Sequence, residues 1–90
     1  MIFRTGTLTC VTLADLAIVK AQLPNHIHLS RAEPGCLSFS VAQTANPLVW
    51  QLDESFVNQA AFDAHQTRTR ASKWWQVSQH IIRDFQITQV

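Results

Sequence analysis

In the run Ala60-Ala61-Phe62-Asp63-Ala64-His65 an imidazole follows a phenyl ring by three positions, the spacing at which two side chains share one face of a helix. His65 therefore falls at the edge of an apolar stripe, within reach of any space between that helix and the layer it covers. An imidazole with an ordinary pKa near 6.5 takes a proton from a phenol or quinol at neutral pH. That makes His65 the first candidate for a catalytic base. The competing reading is a structural histidine bonded to a backbone carbonyl.

Flat aromatic side chains suit a planar guest, and stacking adds about 0.5 to 1.5 kcal/mol beyond area burial. Trp74, Trp75, Trp50 and Phe62 are the candidate walls. Adjacent helical residues point about 100° apart, so one of Trp74 and Trp75 is expected at a pocket and the other in the core or at an interface. Glu54 shares a strand face with Leu52 and Phe56, where an unpaired carboxylate is costly. It is a substrate-binding candidate, and an ion pair with Arg68 or Arg70, or a dimer contact, is favoured over a role as acid catalyst.

Other chemistries lack a pattern. His26 and His28 stand two apart, and neither has a second His or a carboxylate three or four positions away, as helical metal ligands require. No metal site is expected. Gly6 and Gly35 are the only glycines, so no phosphate-binding loop for a nucleotide or flavin is present. Cys10 and Cys36 read as small buried apolar residues. No cofactor is expected.

Ninety residues make one domain, 1–90, whose small core gains from a partner. Only 14% of the residues are charged against 47% hydrophobic, where soluble domains average about 25% charged. A net charge of +1 gives no footprint for nucleic acid or an anionic membrane. No run approaches a membrane span, the first residues lack a signal peptide's apolar stretch, and two cysteines make no disulfide framework. A cytoplasmic setting is the expectation.

The elements follow from periodicity. Ile2 to Val11 is β-rich. Thr12-x-x-Asp15 is a capping box opening a helix with the stripe Leu13, Leu16, Val19, Leu23 and Ile27, which Pro24 must kink or split. Glu33-Pro34-Gly35 ends it. Cys36 to Thr44 alternates, with Leu37, Phe39 and Val41 on one face, and Leu48 to Phe56 completes a hairpin. Asn58 caps a helix over Gln59 to Thr67, a short third helix carries Trp74 and Trp75, and Arg83 to Val90 forms the last strand.

Strand, helix, hairpin, helix, strand is the α+β, ferredoxin-like βαββαβ order, a four-stranded antiparallel sheet with its helices on one face. The other face is left uncovered. If it carries apolar residues it is an association surface, and a homodimer follows.

The turn Glu33-Pro34-Gly35-Cys36-Leu37, the run Trp50 to Phe56 with Glu54, and Ala60-Ala61-Phe62-x-x-His65 together resemble the antibiotic biosynthesis monooxygenase family, most strongly from Glu33 to about Thr69. The resemblance implies a dimeric α/β barrel with a small-molecule pocket between sheet and helices in each subunit. It also implies oxidation of a small phenolic, quinol or polyketide-like substrate by O2 without metal or flavin, with His65 as base or orienting group. Two departures bear on that. The chain has no Tyr, whereas some relatives use pocket tyrosines, and strand 1 has no Asn, which the haem-degrading branch needs. A non-catalytic dimer that binds a small aromatic or quinoid molecule is the alternative.

Overall fold

The computed structural model describes residues 1–90 and contains seven elements: β1 (Ile2–Thr9), α1 (Leu13–Arg31), β2 (Cys36–Gln43), β3 (Val49–Phe56), α2 (Gln59–Arg70), α3 (Lys73–Ser78) and β4 (Ile82–Gln89). The strands form one sheet in the order β2-β3-β1-β4 with every neighbouring pair antiparallel. This is the ferredoxin-like arrangement expected from the sequence.

Both long helices begin where their capping residues stand. Thr12 Oγ1 accepts from the Asp15 amide at 3.1 Å, and Asp15 Oδ2 accepts from the Val11 and Thr12 amides at 3.0 and 3.3 Å. Asn58 Oδ1 accepts from the Ala61 amide at 2.9 Å. Each contact satisfies an amide that the first helical turn would leave without a partner.

Pro24 does not divide α1, which runs without a break from Leu13 to Arg31. Proline removes one amide donor, and its ring is turned to solvent while Val19, Leu23, His26 and Ser30 are buried on the opposite side. Packing of that face keeps the two halves in one helix.

The turn before β2 depends on Gly35. Its φ of +82° suits glycine, and a Cβ there would sit 2.6 Å from the Ala61 Cβ and 2.9 Å from Val57 Cγ1. The strand that follows is not regular. Cys36 pairs with Phe56 and Ser38 with Ser55, so Leu37 is the extra residue of a bulge and points outward at 55% exposure. The alternation expected from Leu37 onward holds only from Phe39.

The main core joins Leu8, Val19, Leu23, Phe39, Val41, Leu52, Trp74 and Ile81 between sheet and helices. A smaller cluster of Ile2, Phe56 and Phe62 lies at the α2 end. The helix-free face is mostly polar: Thr5, Thr7 and Thr9 of β1 stand opposite Asp53, Gln51 and Val49 of β3, and opposite Gln86, Asp84 and Ile82 of β4. Its apolar members are Phe3 at one end and Val49 and Ile82 at the other, separated by these polar groups. Thr5 donates to Asp53 Oδ1 at 2.7 Å, and the Ser38 and Ser55 hydroxyls meet at 2.6 Å.

Candidate functional site

Strand alternation places Arg4, Gly6 and Leu8 on the helix-covered side of β1, with Leu52 on β3 and Arg83 and Phe85 on β4 beside them. Over them lie α1, α2 and α3. The elements enclose a cavity of about 160 Å³ lined among others by Leu23, His26, Phe39, Thr69, Trp74 and Trp75, with Arg4, Arg70 and Arg83 as its charged members. Of the residues singled out in the sequence, Trp74 and Trp75 border it. Both do so, contrary to the expectation that only one of the adjacent indoles reaches a pocket: Trp74 from the main core, where it is buried, and Trp75 from a half-buried position. The Arg83 guanidinium spans the two rings, 5.7 and 5.1 Å from their centroids.

Trp50, Phe62, Glu54 and His65 are not lining residues. Trp50 packs at the edge of the main core, and Phe62 lies edge-on to Phe56 at 5.4 Å. Glu54 is fully buried and pairs with Arg4, not with Arg68 or Arg70: Arg4 Nε is 2.6 Å from Glu54 Oε1. The N–H does not point along that line, so neither carboxylate oxygen has an aligned hydrogen bond and the attraction is one of charge. Burial pushes the Glu54 carboxyl above the ordinary range, and Arg4 pulls it partly back. No local spacing signals this partner, which lies fifty residues away on a neighbouring strand, where Arg4 faces Glu54 in register.

His65 is wholly buried. Its Nδ1 lies 2.8 Å from Glu33 Oε1, and Arg68 Nη2 donates to the same oxygen at 2.9 Å. These two cationic or donor partners hold Glu33 below the usual carboxylate range against its desolvation. The ionised carboxylate fixes the proton on Nδ1 and leaves the Nε2 lone pair free. Nε2 faces Thr69 Oγ1 at 3.4 Å, with the buried Glu54 Oε2 3.9 Å away, and Thr69 borders the cavity. Burial lowers the His65 pKa, and Glu33 opposes that shift.

His26 is the lining residue that sequence reasoning set aside. It lies three positions after Leu23 and seven after Val19, on the apolar stripe itself, and that spacing was the signal for it. It is stacked on Trp74 at 5.9 Å and edge-on to Phe39 at 5.4 Å. Its Nδ1 is buried without a hydrogen-bond partner. Burial first, then the Arg68 and His65 charges, push its pKa down to about 3, so at neutral pH the ring is uncharged.

This sets an acid response. The unfolded chain binds a proton at His26 near pH 6.5 and the folded chain only near 3, so its contribution to stability is complete above about pH 6.5 and drains away as the pH falls toward 3. By pH 5.5 the loss is roughly 1 kcal/mol. In denaturant titrations at pH 7.5 and 5.5, His26→Phe is expected to lose less stability between the two than the parent chain. An equal loss would mean that His26 is not the group responsible.

A family model described as antibiotic biosynthesis monooxygenase matches residues 1–77. Several solved structures share the fold. A Deinococcus radiodurans protein assigned to the same family superposes with a TM-score of 0.85 at 19% identity, covering 100% of this chain and 92% of its own. One from Nitrosomonas europaea, likewise assigned, gives 0.84 at 21%, covering 100% and 98%. Rv0793 from Mycobacterium tuberculosis gives 0.75 at 18%, covering 100% and 95%. No curated protein matches the chain.

Proposed function

The chain belongs to the antibiotic biosynthesis monooxygenase family, and from that membership and the geometry of its cavity we propose that it oxidises a small phenol or quinol with O2, the substrate itself supplying the electrons. The observation that carries this reading is the cavity walled by Trp74 and Trp75, from which a chain of polar groups, Thr69, His65 and Glu33, leads into the protein.

A hydroxyl of the substrate next to Thr69 passes its proton through the Thr69 hydroxyl to His65 Nε2, while Glu33 steadies the imidazolium that forms. The phenolate left behind is favoured by the guanidinium groups around the cavity. An anion of this kind gives up an electron to O2 far more readily than the phenol. In the net reaction the substrate gives up the hydrogen of its hydroxyl and that of a ring C–H, the ring carbon becomes a quinone carbonyl carrying one oxygen atom of O2, and the other oxygen leaves as water with both hydrogens. His65 is thus a base reached through Thr69 and does not touch the substrate.

The test is O2 uptake by the purified protein with menadiol and a panel of hydroxylated aromatics, with products identified by mass and 18O2 labelling. Uptake above the buffer rate, with one labelled oxygen in the product, is the expected result.

The length of 3.4 Å between Thr69 Oγ1 and His65 Nε2 favours one competing reading, a non-catalytic protein that binds a small aromatic molecule. No uptake with any substrate, together with a bound molecule recovered unchanged, would establish it. Self-association through the helix-free face belongs to the same proposal. It rests on the family resemblance and on the small core of a chain this size. Sedimentation equilibrium is expected to give twice the chain mass, and a monomer at micromolar concentration would exclude it.

A further inference from the structure

The charges around the cavity do not balance. Arg4, Arg70 and Arg83 border it, and no Asp or Glu does. Arg4 is answered by Glu54 behind it. Arg83 has no such partner: the carboxylates that take part in ion pairs serve Arg4, Arg68 and histidines. Its guanidinium donates from Nη1 to the Ser78 and Ile81 carbonyls at 2.7 and 3.1 Å and from Nη2 to Ser78 Oγ at 2.8 Å, all neutral acceptors.

Those three bonds leave the Nε–H and one Nη2–H unused of the five donors an arginine carries. Both belong to one edge of the guanidinium, the edge that fits the two oxygens of a carboxylate. A cation drawn partly out of water without a counter-ion is costly, and burial together with the Arg4 charge works against Arg83 holding its proton. A ligand anion would relieve both effects. Size adds a second constraint. Drug-sized ligands occupy roughly 300 Å³ or more, whereas an apolar cavity of about 150 Å³ is filled by one benzene ring. The space here, about 160 Å³, is of the second kind.

We propose that the cavity takes a single aromatic ring bearing a carboxylate, with the ring against Trp74 and Trp75 and the carboxylate on the free edge of Arg83, assisted by Arg70 at the exposed side. This deepens the reading of the cavity as the substrate site and narrows the substrate to a ring-hydroxylated benzoate. It does not depend on the oxidation itself.

The experiment is calorimetric titration of the whole protein with benzoate, phenyl phosphate and benzyl alcohol, which keep the ring and change the charged group. In 50 mM NaCl benzoate is expected to bind at least about tenfold more tightly than benzyl alcohol, and the gap is expected to narrow as salt is raised. Arg83→Met is expected to erase most of that preference, weakening benzoate far more than benzyl alcohol. Because Arg83 also holds the turn before β4, Arg70→Gln is titrated in parallel. Arg70 is exposed, and its loss is expected to weaken benzoate alone by a few fold.

Equal binding of benzoate and benzyl alcohol, no binding of either, or a preference that survives both substitutions would overturn the proposal. Tighter binding of phenyl phosphate than of benzoate would overturn the carboxylate assignment. The two readings of the cavity fail separately. Selective benzoate binding without O2 uptake by any substrate removes the oxidation alone, and O2 uptake with neutral quinols without benzoate selectivity removes this inference alone.

Discussion

His65→Ala is expected to lower the rate of O2 uptake by about 100-fold to 10,000-fold, the range ascribed to a positioned proton acceptor. The substitution deletes the Nε2 that faces Thr69 and leaves Glu33 without the ring on its Oε1. A loss of that size could also come from a disturbed fold, since His65 is wholly buried. Glu33→Gln separates the two causes. It keeps the imidazole but removes the carboxylate that raises the His65 pKa. In the parent protein burial already holds that pKa below 6.5, so the rate is expected to hold steady as the pH falls to about 6.5 and to decline only below it. In Glu33→Gln the decline is expected at still lower pH. A purely structural His65 would leave the pH profile of the variant in place.

Arg4→Met is expected to cost about 3 to 5 kcal/mol of stability, because it strands the Glu54 carboxylate in the interior. For a domain of this size each kcal/mol is worth about 4 to 8 °C in Tm, so the fall in a thermal melt is large. Adding Glu54→Gln is expected to recover most of it, since a buried pair removed whole costs far less than a pair broken.

The pH dependence gives a second readout. Glu54 already has a raised pKa in the fold, and without Arg4 it rises further. A carboxyl that holds its proton more tightly when folded adds stability that is complete below the unfolded value and lost as the pH climbs through the folded one. The variant is therefore expected to be weakest above neutrality and to recover toward pH 5. A uniform deficit across that range would show that Glu54 is not the group left exposed to the change.

Much of the fold was legible because its local signals agree with one another. Thr12 and Asp15 start α1, Asn58 starts α2, and the alternation around Phe39 and Val41 marks β2. Two local rules gave way to packing. Of the kink or split that Pro24 predicts, the split does not occur, because the buried face of α1 lies opposite the ring. Simple alternation puts Leu37 on the face of Phe39 and Val41, and a bulge that no residue type announces turns it out.

The site was legible in its walls and less so in its charges. Trp74 and Trp75 are conspicuous by type. Arg4 and Arg83 are not, because arginines on strands ordinarily face water, and only the register of β1 with β3 and β4 brings them inward. His26 lacks the spacing of a metal ligand, but its place on the stripe of Val19 and Leu23 marks it as a group buried in the core.

The polar groups of the helix-free sheet surface limit how a second copy of the chain could be laid on it. Thr5 and Asp53 are already bonded across it, as are Ser38 and Ser55. A neighbour laid on this surface at the wrong angle would break those bonds and offer nothing in return, whereas an oily surface would accept it in many orientations. Crowded nascent chains would then rarely adhere by accident, and any lasting pair would be confined to the few alignments in which every hydroxyl and amide finds an acceptor or donor.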